Sequence, residues 1–175
     1  MPAAWDSVDH VLALDPGGRG IARFFRPGAA RRAARALHGA RRVVIVTGFV
    51  VQAGMAETDG PPGAAVLGRA LRRLGARVRY LTDPPVVPLL QAALKVLGEP
   101  ADLVDAGDPG PALARARPTH LVAVERPGRS RSGDYLSARG ASVAAWNRPL
   151  DALFLPRGRG RRPVSVGVGD GGHEI

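Results

Sequence analysis

Val43-Val44-Ile45-Val46, closed by Thr47-Gly48, is an unbroken run of β-branched residues. A strand with one wet face alternates apolar and polar side chains. A strand with no polar member is covered on both faces, as in the middle of a parallel sheet. Parallel neighbours need crossovers, and helical stripes flank the run. Ala30, Ala33, Ala34 and Leu37 are expected to face inward from a helix over 28–41. Ala64, Leu67, Leu71 and Leu74 form a second stripe closed by Gly75, and Val87, Leu90, Leu94 and Leu97 a third closed by Gly98. Further strands are expected at Val78 to Leu81, Leu103-Val104, Leu121 to Val124, Val143 to Trp146 and Val164 to Val168. Shorter helices are expected over 1–14, with Trp5, Val8, Val11 and Leu12 on one side, and over 111–117 and 150–155; 127–140 and 157–162 read as loops. The alternation predicts an α/β fold, a mostly parallel open sheet flanked by helices in a Rossmann-like three-layer sandwich, in one domain over 1–175.

The absence of cysteine excludes disulfides, thiolate nucleophiles and Cys-ligated zinc. No apolar run approaches the ~18 residues of a membrane span. The N-terminal MPAAWDSVDH has neither a basic start nor an apolar core, so no signal or transit peptide is read there and a cytoplasmic address is expected. The net charge of +10 invites a nucleic-acid partner. However, Lys95 is the sole lysine, and arginine crowds with alanine, glycine and proline as a GC-rich coding sequence would dictate. Aromatics are only 5%, too few to interleave with bases, so the expected partner is a small molecule rather than nucleic acid. A homo-oligomer is compatible with the sequence.

In an open parallel sheet, ligands bind beyond the carboxyl ends of the strands. Seven of the fifteen acidic residues fall just after expected strands: Glu57, Asp59, Asp83, Asp105, Glu125, Asp170 and Glu174. Each alone could be a turn former or a helix cap. Together they repel, and so require a cation, arginine partners or a retained proton. A retained proton makes a general acid near neutral pH; Mg²⁺ or Mn²⁺ at Asp59, Glu125 and Asp170 is another option, although nothing in the sequence requires a cofactor. The residues alone leave these alternatives open. Pro61 and Pro62 suit the first turn of a helix whose free N–H groups would face a substrate anion, with Asp59 as its cap in the structural alternative. Arg19, in the turn Asp15-Pro16-Gly17-Gly18-Arg19-Gly20, and Arg126, after Glu125, could clamp a carboxylate or pair with an acidic side chain. Gly167-x-Gly169-x-x-Gly172 fits the dinucleotide fingerprint literally, but on the last strand rather than the first; what survives is close backbone approach to an anion. His10, His38 and His120 read as structural, whereas His173 lies at the site end. A serine-hydrolase elbow and a phosphate-binding P-loop are both missing.

Asp15 to Gly20, Thr47-Gly48-Phe49, Glu57-Thr58-Asp59-Gly60-Pro61-Pro62-Gly63-Ala64, Glu125 to Arg129, Gly133-Asp134-Tyr135 and Gly167 to Ile175 together resemble the C-terminal catalytic-type domain of the D-glutamate cyclase family. The resemblance implies a lyase that closes D-glutamate to 5-oxo-D-proline with loss of water. It implies catalytic roles among Glu57, Asp59, Glu125, Asp134 and Asp170. Substrate contacts would come from Arg19, Thr47, Gly48, Thr58, Gly60, Arg126, Gly169, Gly171, Gly172, His173 and Glu174. The family pattern has asparagine where this chain has His173, and it continues beyond the position of Ile175, so a chain shortened at its C-terminus is expected. The alternatives are a non-catalytic module that binds a small anion or nucleotide, and a nucleic-acid binder.

Overall fold

The computed structural model describes residues 5–104, 109–155 and 162–175. Four strands, β1 (Arg42–Thr47), β4 (Arg77–Leu81), β5 (His120–Val124) and β6 (Val164–Val168), form one parallel sheet in the order β4-β1-β5-β6. Ile45 lies opposite Tyr80 on one side and Val122 on the other, and Val122 lies opposite Val166. The apolar run is therefore an interior strand, as its composition requires. Its side chains alternate between two cores. Val43 and Ile45 join Val78, Tyr80, Val122 and Val124 beneath Leu37 of α2 (Ala29–His38), Ala64, Ala65 and Leu71 of α3 (Gly60–Arg73), and Leu90 and Leu94 of α4 (Val87–Val96). Val44 and Val46 join Leu81, Val104 and Leu121 beneath Leu113 and Ala116 of α5 (Pro109–Ala116) and Leu150 and Leu153 of a 3-10 turn. This gives the three layers of an α/β sandwich. Each fully buried aliphatic side chain contributes about 1.5–3 kcal/mol.

Several local expectations differ from the structure. Ala34 is exposed, because the inward stripe of α2 runs through Ala33, Ala36 and Leu37. Leu74 is also exposed, since it caps α3 beyond its last helical residue and leaves the stripe. Val143 to Trp146 is a turn that packs Val143 against Phe49 and Tyr135, not a strand. Leu103 makes only a single parallel bridge to Tyr80. Residues 50–56, for which no element is expected above, fold into a hairpin of β2 (Val50–Gln52) and β3 (Met55–Ala56). In α1 (Ser7–Leu12), Val8, Val11 and Leu12 face solvent, whereas Asp9 is buried and accepts the Gly28 N–H. Asp105 and most of the 157–162 loop lie outside the described residues. Among those described, no helix is long and apolar enough to cross a membrane.

Candidate active site

The carboxyl ends of β1, β5 and β6 open onto one rim, and the loops leaving them carry the acidic residues. Thr47 ends β1 with a fully buried side chain whose hydroxyl has no partner among the described residues. The chain then turns through Gly48 and the β2–β3 hairpin, and the Glu57 N–H donates to Phe49 O (2.8 Å), which returns Glu57 to the rim. Glu125 follows β5 with φ of 45°, a left-handed conformation that disfavours a side chain of its type. Asp170 follows β6. The chain then doubles back: Pro127 and Glu174 form an antiparallel bridge, Gly128 N donates to His173 O, and Ile175 N donates to Arg126 O.

This fold-back makes an acidic bowl. Carboxylate oxygens of Glu125, Asp170 and Glu174 lie within 4.8 Å of one another. Burial pushes the Glu125 carboxyl up to about 8, with Glu174, Asp170, Asp59 and Glu57 adding repulsion in that order. Glu57 is raised as well, first by burial and then by Asp59, with His173 and Arg19 opposing. The loops that carry Glu57, Asp59, Glu125, Asp170 and Glu174 therefore converge, although they are far apart in the chain. Coupled carboxylates of this kind hold a proton at neutral pH.

Arg19 reaches the bowl from the opposite end of the chain, with its Nη1 2.6 Å from Asp170 Oδ1. Asp15 fixes the turn behind it by accepting N–H groups from Arg19 (2.7 Å), Gly20 (2.7 Å) and Ile21 (3.2 Å). These bonds and the Arg19 charge outweigh desolvation, holding the Asp15 carboxyl below its ordinary range.

Other expected site residues are engaged differently. Arg126 is wholly buried rather than presented to a ligand. It donates to Gly48 O (3.1 Å), Arg148 O (2.6 Å) and the Asp83 carboxylate. Arg148 Nε braces the other Asp83 oxygen at 2.8 Å. Nothing local in the sequence signals this network, since its members come from the ends of three strands and from a loop more than twenty residues further on. Asp134 holds its own loop, accepting from Tyr135 N (2.8 Å) and Ser142 Oγ (2.9 Å), and is not among the main charges acting on Glu57 or Glu125. Thr58 is exposed between Glu57 and Asp59.

Several of the open amides expected for a substrate anion are already satisfied. At the start of α3, Asp59 Oδ1 accepts from Gly60 N (2.9 Å), Pro61 and Pro62 have no N–H, and Gly63 N bonds to Asp59 O. In the last loop, Glu174 accepts from Gly171 N (3.0 Å) and His173 N (3.1 Å), so the glycine-rich nest seats this chain's own carboxylate. Gly169 leaves room for the Glu174 side chain, and Gly172 lies against Phe24. His173 lies edge-on to Phe49 at 5.4 Å, with Nε2 3.6 Å from Glu174 Oε1.

The family described as D-glutamate cyclase-like, C-terminal, matches residues 8–175. The chain belongs to that family. A human relative, "D-glutamate cyclase, mitochondrial", is 32% identical over 192 residues, which covers 96% of this chain and 30% of the relative. The chain therefore spans less than a third of that cyclase. The cyclase-like domain accounts for the fold and for the run of motifs from the Asp15 turn to Ile175.

As a metal site, the bowl pairs Glu125 and Asp170 with Glu174 rather than with Asp59. Three carboxylates suit a hard cation. In this structure, however, Arg19 already neutralises Asp170, and two N–H groups hold Glu174.

Proposed function

We propose that this domain is a lyase that closes D-glutamate to 5-oxo-D-proline and water. The observation that carries the proposal is Glu125, a carboxyl that keeps its proton to about pH 8 among four other carboxylates at the rim of a parallel sheet. The reaction needs such a group. The substrate ammonium must lose two protons, and the γ-carboxylate oxygen that leaves as water must gain two. Glu125 gives one proton to the departing oxygen and regains one from nitrogen. Glu57, whose proton affinity is also raised, receives the proton that frees the amine for attack on the γ-carbon and passes it to the departing oxygen, which with the proton from Glu125 leaves as water. Asp59 and Asp170 hold the ammonium before it is deprotonated. Holding the five-carbon chain curled in the bowl supplies the proximity that ring closure demands.

The family membership and the resemblance to the human cyclase support this reading. The cytoplasmic address and a small-molecule partner go with it. No step needs a resident metal; a divalent ion on Glu125, Asp170 and Glu174 is the variant in which the cation replaces the proton. Incubation with D- or L-glutamate, each with EDTA or with Mg²⁺ or Mn²⁺, tests both. Formation of 5-oxoproline from the D-isomer alone is expected, with Glu125→Gln inactive. No turnover by the folded protein under any of these conditions would overturn the assignment, and activity lost only in EDTA would move it to the metal variant.

A further inference from the structure

Two of the ion pairs at this end of the sheet differ in one decisive way. Arg126 and Asp83 are 0% and 1% exposed and cross-braced by Gly48 and Arg148, so that pair cannot open without breaking the core. Arg19 and Asp170 are 53% and 48% exposed, and among the described residues each side chain makes this one polar contact. An ion pair so exposed is worth little and opens cheaply. Opening it would leave an unpaired guanidinium facing a carboxylate already crowded by Glu125 and Glu174. The entrant that restores both charges carries a carboxylate and an ammonium on one carbon atom.

We infer that the Arg19–Asp170 pair is the recognition subsite for an α-amino acid zwitterion, which inserts between the two side chains. The α-carboxylate takes the guanidinium bidentately, and the ammonium takes Asp170. The Asp15-braced turn presents Arg19 ready-formed, so little ordering is needed at binding. Insertion turns the rest of the amino acid toward Glu125 and Glu57. Recognition at this subsite reads the α-carbon charges and not the far end of the side chain. It deepens the cyclase reading, on which the choice of glutamate rests, but binding can be measured without turnover.

The probe is D-norvaline, which has both α-charges and no side-chain carboxyl to cyclise. Glutarate lacks the ammonium, and 4-aminobutyrate lacks the α-carboxylate. Each is titrated calorimetrically into the full chain and into Arg19→Gln and Asp170→Asn, with thermal melts to establish folding. D-Norvaline is expected to bind saturably to the wild type and about tenfold or more weaker to each variant, with both melts near that of the wild type. Glutarate and 4-aminobutyrate are expected to bind about tenfold weaker than D-norvaline. Should Arg19→Gln fail to fold, Arg19→Lys keeps the charge without the fork and is expected to bind D-norvaline more weakly than wild type. Absent binding of D-norvaline, glutarate binding equally well, or folded variants binding like wild type would each overturn the subsite. D-Norvaline binding without turnover of D-glutamate would overturn the reaction and leave the subsite standing.

Discussion

A Cβ on Gly60 would stand 2.9 Å from the Cβ of Glu125 and 3.1 Å from the Thr47 hydroxyl. The first turn of α3 thus rests directly on the proton-holding residue. Alanine in place of a helical glycine ordinarily stabilises a protein by about 1 kcal/mol. At this position the sign reverses, because the obstructing atom is the root of a side chain and not its flexible end. Gly60→Ala is expected to lower the melting temperature and to cut D-glutamate turnover about tenfold or more by displacing Glu125. A melt and a single progress curve check both.

Stability should depend on pH through Glu125. Its carboxyl is ordinary in the unfolded chain, near 4.5, and about 8 in the folded one. Between these values the folded state binds more protons, so stability falls as pH rises through the window and is greatest below it. The loss amounts to about 1–3 kcal/mol once discounted for the solvent that reaches the group. Urea melts at intervals from pH 5 to 9 should show this decline, and Glu125→Gln, which stays neutral throughout, should flatten it.

Turnover should fall on the alkaline side for the same reason. Loss of the Glu125 proton removes the donor to the departing oxygen, so the D-glutamate rate declines above about pH 8. Glu57→Gln removes the base and should abolish turnover, but it also removes one of the charges that raise Glu125, and so should move the pH-dependent loss of stability toward lower pH. A pH–rate profile of the wild type reads the alkaline limb, and urea melts of Glu57→Gln across pH read the displacement.

The Asp83–Arg126 pair should behave as architecture. Asp83→Ala leaves a buried guanidinium without its counter-charge and is expected to cost about 3–5 kcal/mol. In the double variant with Arg126→Met the loss should be smaller than the two single losses combined, because no wholly buried charge is left without its partner and Arg148 is partly in solvent. Denaturant midpoints of the three variants give the coupling.

The sheet was legible where composition left no alternative. A strand of Val43 to Val46 has no polar face to offer water, and the glycines after α3 and α4 mark where each stripe must stop. The hairpin at 50–56 was not legible, because strands of three and two residues carry no periodicity. The acidic bowl followed from one rule, that open parallel sheets bind at their carboxyl ends, which placed Glu57, Glu125 and Asp170 together. The same rule could not separate Arg19 from Arg126. Both follow site-like turns, and only burial distinguishes them: Asp83 and Arg148, remote in sequence, enclose one and leave the other in solvent. The amides failed for a related reason, since Asp59 and Glu174 fill positions that looked free for a ligand.

Glu125 sits on a left-handed backbone that glycine would adopt without penalty. Durability and chemistry therefore pull in opposite directions at this residue. Glu125→Gly would relax the main chain and relieve the crowding of like charges, giving a tougher molecule that has lost the group it was strained to present. Selection for heat tolerance alone would be expected to erode this position early, and its retention in a hardened variant would mark a protein still under demand for catalysis.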